Sequence, residues 1–265
     1  MFAAARKTAA PLTVAALIVA LAALALTALV PAAHADEQRV KRFGVAIYAM
    51  PTSMGLGDFN DGIDRINQGI GAAGFAPIGK VHWSAEFGLE GRFMATKHWV
   101  LTAGFGRIRK ESKLDLLPSV GSQILVIGRI ITVPRNLGVD YYYAPKTSGN
   151  VTVRPFVGAG MLSLVETKAK LGATTTIANT TFGQFLRPAS EGGGAYVEAG
   201  MHVMLPSKYS LLVNGYYRRA KLSQVVEETT LGRIYNPDGS PFSLDLSGVG
   251  IRFAAQIDFY GKPVK

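Results

Sequence analysis

The sequence predicts an all-β fold: an eight-stranded antiparallel transmembrane β-barrel with short turns at one end and long surface loops at the other. Three observations carry the prediction. Apolar and polar residues alternate with period two over long stretches, the joins between those stretches are short and long in turn, and aromatic residues gather beside the short joins. Composition agrees. The 265 residues hold 30 glycines, no cysteine, and only 17% charged residues against 48% hydrophobic ones. That balance excludes a disordered chain, and the missing cysteine excludes a disulfide scaffold, a zinc–cysteine site and a cysteine nucleophile. Interior glycine costs a helix about 1 kcal/mol, which counts against a helical bundle.

The first segment is an address rather than part of the fold. Arg6 and Lys7 precede an apolar stretch from Leu12 to Val30, Pro31 ends any helix, and Ala33-His34-Ala35 puts small residues where a signal peptidase reads them. Residues 1–35 are therefore expected to be a signal peptide cleaved after Ala35, and residues 36–265 the barrel domain. The stretch is also just long enough to cross a bilayer as an uncleaved anchor. The Ala-x-Ala site and the lack of a later apolar run of that length favour cleavage. Losing Arg6 and Lys7 lowers the formal net charge from +10 to +8. Export sets aside nucleic acid as the partner of this basic balance, and an exported chain without cysteine fits a bacterial envelope protein.

The elements follow from strand periodicity. Phe43–Met50 comes first. From Val81 to Phe93 the odd positions (Val81, Trp83, Phe87, Leu89, Phe93) are apolar and the even ones (His82, Ser84, Glu86, Glu90, Arg92) polar. Trp99–Arg109, Ile130–Tyr143, Val153–Glu166 and Tyr209–Lys221 repeat the pattern more weakly. Ala195–Leu205 sets Val197, Met201 and Val203 against Tyr196, Glu198 and His202. The last strand sets Val249, Ile251, Phe253, Ile257 and Phe259 against Arg252, Gln256 and Asp258. The joins at Met94–His98, Ala144–Thr152 and Pro206–Lys208 are short, and those around 51–80, 112–122, 167–190 and 222–243 are long. Short turns on one side and long loops on the other describe a membrane barrel with periplasmic turns. Phe43, Phe93, Trp99, Tyr141, Tyr143, Tyr209, Phe259 and Tyr260 lie at strand ends beside the short turns. That is the place of an interfacial girdle, which a soluble sandwich has no reason to build.

Two local marks add a resemblance. One is Arg154-Pro155-Phe156-Val157-Gly158-Ala159-Gly160. The other is the final strand, where Arg252, Ala254, Ile257 and Phe259 are similar to the barrel-assembly signal polar-x-Gly-x-x-apolar-x-aromatic. Ala254 stands where glycine is usual, and Tyr260–Lys265 run past the aromatic end. With these marks the whole mature chain resembles the small eight-stranded outer-membrane proteins, the class of OmpA-type, OmpX-like, OmpW-like and opacity-type barrels. The resemblance implies a bacterial outer-membrane location and contact with outer-membrane lipids and lipopolysaccharide. It also implies the barrel-assembly machinery as a partner during biogenesis, and no cofactor.

Strand phase turns Glu86, Glu90, Asp140, Glu198 and Asp258 inward together with Arg92, Arg218 and Arg252. His82, His202, Asn214, Gln256, Tyr196 and Tyr216 sit among them. Eight strands leave an interior only wide enough for side chains, and charges buried there cost several kcal/mol each unless paired. The set is expected to form a mutually satisfied plug, with a proton or solute path as the other reading. Inward glycines, among them Gly44, Gly88, Gly106, Gly138, Gly158 and Gly160, either make room for larger neighbours or leave a narrow water-filled gap.

On the lipid face the phase puts Arg107 and Arg109 on one strand and Arg219 and Lys221 on another. A tilted strand climbs about 2.5 Å per residue, so they lie about 20–30 Å above the girdle, near the far edge of an apolar band about 25 Å tall. They are expected to meet lipopolysaccharide phosphates or to snorkel into water. Arg135 also falls outward, and Pro134 beside it predicts a bulge that resets the phase.

His82-Trp83-Ser84 is superficially similar to the His-x-Ser pair of outer-membrane deacylases. Ala85 follows where Asn is expected, phase turns both residues inward, and no carboxylate stands where it would orient the base. No catalytic residue and no metal site is expected. In the first long loop, Gly62 and Ile63 break the calcium-loop spacing of Asp58, Asn60, Asp61 and Asp64. A short capped helix laying Ile63, Ile66 and Ile70 over the barrel mouth fits better. Leu171–Phe182 is Thr-rich, a surface strand or hairpin, and Asn236-Pro237-Asp238-Gly239 is a turn signal. The expected function is a structural or surface-interaction role with an unidentified extracellular ligand. Passive uptake of small or apolar solutes is the alternative, with lipid A modification behind it.

Overall fold

The computed structural model describes residues 40–117, 122–177 and 180–261; the expected signal peptide and its cleavage site lie outside them. Eight long strands form one ring: β1 (Val40–Ser53), β2 (Trp83–Met94), β3 (Trp99–Leu116), β4 (Ser122–Tyr142), β5 (Val151–Ile177), β6 (Pro188–Met204), β7 (Tyr209–Arg219) and β8 (Gly248–Gly261). Each pairs antiparallel with the next, and β8 closes on β1 from Val40↔Gly261 to Thr52↔Gly250. One row of paired residues runs Phe259, Phe43, Phe93, Leu101, Val139, Ala159, Val197, Tyr217 and back to β8 at Val249, ten residues from its start. That shear tilts eight strands by about 40°. Each residue then climbs about 2.5 Å along the barrel axis, and each step along the row about 3 Å.

The short turns stand where they were expected. Thr96 Oγ1 accepts hydrogen bonds from the His98 and Trp99 backbone N–H groups at 3.2 and 3.0 Å, closing the β2–β3 turn. After β4, Lys146–Ser148 pairs with the start of β5 around Gly149, whose φ of 57° is the left-handed geometry a two-residue turn needs.

The long loops differ from expectation. β5 has 27 residues, where about 9–11 cross a bilayer. The described parts of the segments 112–122 and 167–190 are largely strand: β3 and β4 pair out to Leu116↔Ile124, β4 and β5 out to Ser122↔Ile177, and Thr180–Leu186 folds back on the end of β5. Above the lipid neither sheet face must be apolar, so the alternation that marks a membrane strand fades. β-Branched residues such as Ile124, Val126, Ile127 and Thr174–Thr176 still keep the chain extended. The Thr-rich hairpin is this outer end of the wall. The Asn236–Gly239 turn is formed, with Gly239 at φ 81° and its N–H donating to the Asn236 carbonyl at 2.9 Å.

The first loop folds as helix α1 (Gly57–Ala72). Phe59 and Ile63 are fully buried and Ile70 nearly so, packed in one apolar cluster with Ile108, Ile130, Leu164 and Leu171 from the inner face of the upper wall. Ile66 is only half-buried at the edge of that cluster. The expected side-chain cap is absent. Leu56 at the N-cap is left-handed, φ 44°, and Asp58 instead accepts from the Ser243 N–H and hydroxyl at 2.7 and 2.8 Å. Leu56 N–H donates to the Asp245 carbonyl at 2.7 Å, so the helix start is stitched to the last surface loop. Asn60 holds the other end of the connection. Its Nδ2 donates to the Val81 carbonyl at 3.1 Å, and its Oδ1 accepts from Val81 N–H at 2.9 Å. This clamp turns Val81 into the core, so strand phase begins only at Trp83. His82 is exposed ahead of β2 rather than in the lumen, which corrects its placement from sequence phase.

Replacing Asn60 with Ala orphans both buried backbone groups of Val81, at a cost of about 1–3 kcal/mol. Hydrogen exchange at the Val81 amide is expected to speed up about tenfold or more while the β1–β2 ladder keeps its protection.

Candidate functional site

The barrel interior is the site the sequence brings together. All eight charged residues expected there are buried: Glu86, Glu90, Arg92, Asp140, Glu198, Arg218, Arg252 and Asp258. Arg252 stands at the centre, donating to Glu90 and to Glu198 at 2.5 Å each, with its guanidinium 5.3 Å from the ring centres of Tyr48 and Tyr216. Toward the turns, Arg92 bonds Glu90 at 2.6 Å and also bonds Asp140, and it donates to the Tyr142 hydroxyl at 3.0 Å. Toward the mouth, Arg218 donates to Glu86 at 2.7 Å, and Tyr48 completes that carboxylate at 2.8 Å. Asn136 and Asn214 donate to Glu90 and Glu198 at 3.1 and 2.5 Å. Asp258 joins the arrangement through Gln256.

Two inward arginines were not picked out from the sequence. Arg154 donates to the Lys97 carbonyl at 2.6 Å and lies 5.0 Å from the Tyr142 ring centre, and Arg42 lines the lower lumen beside Asp258. Both shared the phase of glycines that were assigned inward, Gly158 and Gly44, so the signal was there. With them the lumen carries five carboxylates and five guanidinium groups among the described residues.

The inward glycines make room for rings. A methyl group on Gly88 or Gly106 would lie 2.5 or 2.6 Å from the Tyr48 hydroxyl, and on Gly138 or Gly160 2.1 or 2.6 Å from the Tyr196 side chain. The lumen holds cavities of ≈ 30 Å³ beside Arg42 and Arg92 and ≈ 10 Å³ beside Glu86 and Arg252. These are about the size of two water molecules and of one. Above them the α1 cluster fills the mouth, so an ionic layer lies below an apolar one.

The outer surface follows the expected bands. Phe43, Phe93, Trp99, Tyr143, Tyr209 and Phe259 all point out and Tyr141 lies half-buried among them, 5.1 Å from Trp99 and 5.4 Å from Tyr143. The side chain of Tyr260 lies outside the described residues. Arg107, Arg109, Arg219 and Lys221 are outward and exposed, but β3 and β7 stand on opposite sides of the ring, so the four do not form one cluster. The bulge expected at Pro134 falls earlier, between Ile131 and Val133, and does not reset the phase: Arg135 stays outward and exposed.

No protein-family model matches the chain, and no curated protein matches it. Solved structures do. The barrel is similar to the outer membrane protein OprG from Pseudomonas aeruginosa, with 12% identity over 84% of this chain and 98% of that one and a TM-score of 0.46. It is similar to Neisserial surface protein A (NspA), 11% identical over 84% and 100% with a TM-score of 0.41, and to outer membrane protein AlkL, 14% identical over 89% and 98% with a TM-score of 0.37. These neighbours are small outer-membrane barrels, and the likeness is one of fold alone. The chain is a closed, eight-stranded antiparallel β-barrel.

Above the membrane the wall continues as an open sheet with two free edges. On β3, residues past Ile108 have no ladder partner on β2, and this edge carries Lys110, Glu111, Lys113 and Asp115. A hydrogen bond from Arg129 holds the Glu111 carboxyl below its usual range. The opposite edge, Thr180–Leu186, pairs only with β5 among the described residues and carries no charge. His82 and Ser84 of the deacylase-like triplet are not brought together: Ser84 is buried, with its hydroxyl 3.4 Å from the Arg109 carbonyl, and His82 is exposed.

Gly160→Ala would place its methyl 2.4 Å from the Leu137 carbonyl oxygen as well as against Tyr196. Overpacking against backbone costs about 1–3 kcal/mol or more. The folded fraction, read by heat-modifiable gel mobility after refolding, is expected to fall for Gly160→Ala. It stays at the wild-type level for Gly215→Ala, where the nearest atom is 3.9 Å away.

Proposed function

We propose that the protein is a closed, structural barrel of the outer membrane that presents a rigid surface sheet for interaction, rather than a pore. The observation that carries this reading is the two-layer closure. Paired charges around Arg252 fill the lower lumen, and the α1 cluster fills the mouth above them. A path for a solute would have to part both layers, and the two obey different physics. Breaking the ionic layer leaves buried charges unpaired, while opening the apolar layer exposes Phe59 and Ile63 to water.

The surface role is supported by the contrast between the two sheet edges. Natural sheets protect exposed edges with charge, as the Lys110–Asp115 edge does. The uncharged Thr180–Leu186 edge offers unpaired backbone donors and acceptors to an extended segment of another protein, the geometry of strand addition.

Planar-bilayer conductance tests the closure. Wild type is expected to be silent, and so is Arg252→Ala, because the apolar layer remains. Arg252→Ala combined with Phe59→Ala and Ile63→Ala is expected to pass current. Steady wild-type current would overturn the closed-barrel reading in favour of passive transport.

A further inference from the structure

The outward basic residues at the top of the membrane band fall into two arrangements. Arg219 and Lys221 stand as a lone pair on β7, where their cross-strand positions are Ala195 and Asp245. Arg107 and Arg109 on β3 are different, because Arg135 on β4 joins them. Phe105 pairs with Arg135 and Arg109 with Ile131. Arg107 is therefore the diagonal neighbour of Arg135, within about 8 Å, and Arg109 follows two residues higher on the same face. Three exposed guanidinium groups thus share one patch of the outer wall, although the sequence separates the strands that carry them.

The patch has no anion of its own. Arg107 and Arg135 have no hydrogen bond or ion pair among the described residues, and Arg109 has only Glu111, at 3.8 Å. Glu111 is engaged elsewhere, by Arg129 at 2.8 Å one row further out. Lys168 on β5, which pairs with Ile131, brings a fourth cation to the corner of the patch and is held by Glu228. The other acids of this wall, Glu166 and Glu191, stand on β5 and β6 rather than among the three arginines.

Depth gives the patch its chemistry. Counting along the rows puts Arg135, Arg107 and Arg109 about 22, 24 and 29 Å above Phe259, across the outer edge of an apolar band about 25 Å tall. Directly below them Phe105, Leu137 and Met161 present exposed apolar surface. Like charges set side by side repel, most strongly where lipid lowers the dielectric around them. An amphiphile with acyl chains below this level and anionic groups at it and just above it turns the repulsion into attraction. Arginine suits that role, because its planar fork binds phosphate through two parallel hydrogen bonds.

We propose that Arg107, Arg109 and Arg135 form a seat for one anionic glycolipid of the lipid A type, drawn from the leaflet at the surface-loop end of the barrel. Its acyl chains lie over Phe105, Leu137 and Met161. One phosphate accepts from Arg107 and Arg135, and an anionic group higher in the headgroup accepts from Arg109. A phospholipid with a single phosphate fills only the lower part of the seat, and an anionic glycan without acyl chains leaves the apolar surface bare.

Native mass spectrometry of the refolded protein in mixed micelles, offered equal amounts of diphosphorylated lipid A, its dephosphorylated counterpart and phosphatidylglycerol, tests the proposal. Wild type is expected to retain one diphosphorylated lipid A about tenfold better than either competitor. Arg107→Gln combined with Arg135→Gln is expected to lower that retention about tenfold, whereas Arg219→Gln combined with Lys221→Gln, across the ring, keeps the wild-type level. Arg109→Gln alone is expected to lower it about threefold, which keeps the test decisive if the double variant fails to fold. Equal retention of the dephosphorylated lipid or of phosphatidylglycerol by wild type would overturn the proposal. So would equal losses in the β3–β4 and β7 variants, or wild-type retention in Arg109→Gln. Conductance does not enter these readouts, so they stand apart from the test of the closed lumen.

Discussion

One guanidinium holds the barrel interior together. Arg252 on β8 reaches Glu90 on β2 and Glu198 on β6, strands that lie well apart around the ring, while two tyrosine rings lie 5.3 Å from its guanidinium. Glu90 passes the linkage on to Arg92, and Arg92 to Asp140 on β4. Alternate strands are thereby tied across the lumen as well as around the wall. In a space this narrow an ionised side chain cannot keep its water, so each charge is stable only because the others are in place. The bidentate reach of arginine suits it to such a hub, where lysine would offer a single point of contact.

The rest of the interior is arranged around that chain. Tyr48 and Tyr196 fill the space the ion pairs leave, and the wall admits their rings only because Gly88, Gly106, Gly138 and Gly160 face them without side chains. Above this level the polar lumen gives way to an apolar one. Helix α1 closes it as a soluble domain closes its core, by packing Phe59 and Ile63 onto inward aliphatic side chains. The stitches from Leu56, Asp58 and Asn60 fix the helix to chain segments on both sides. The same strands thus serve three surroundings in turn: a lipid band outside, an ionic layer inside, and a water-facing sheet above the membrane.

Within the membrane most of this was legible in the sequence. Period-two alternation in β2, β6 and β8 assigns Glu86, Glu90, Arg92, Glu198, Arg252 and Asp258 to the lumen because a strand has only two faces and lipid rejects charge from one of them. Outside the membrane that constraint lapses. The outer halves of β3, β4 and β5 face water on one side or both, so their pattern is too weak to separate strand from loop. His82 shows the same limit at a single residue. Phase extrapolated from β2 puts it inside, but the Asn60–Val81 clamp turns the chain over just before the strand begins. Arg154 and Arg42 are legible too, each in phase with an inward glycine. What no periodicity encodes is pairing across the lumen: the contacts of Arg252 depend on a shear of ten residues that only the assembled registers reveal.

The most direct test of this account is the unfolding free energy of variants of the hub, measured by urea titration in lipid vesicles. Arg252→Ala leaves Glu90 and Glu198 buried without their shared cation and is predicted to cost about 3–5 kcal/mol, whereas Arg252→Met combined with Glu90→Gln and Glu198→Gln is predicted to recover most of that loss. Wild-type stability in Arg252→Ala would contradict the claim that paired charge holds the lumen closed.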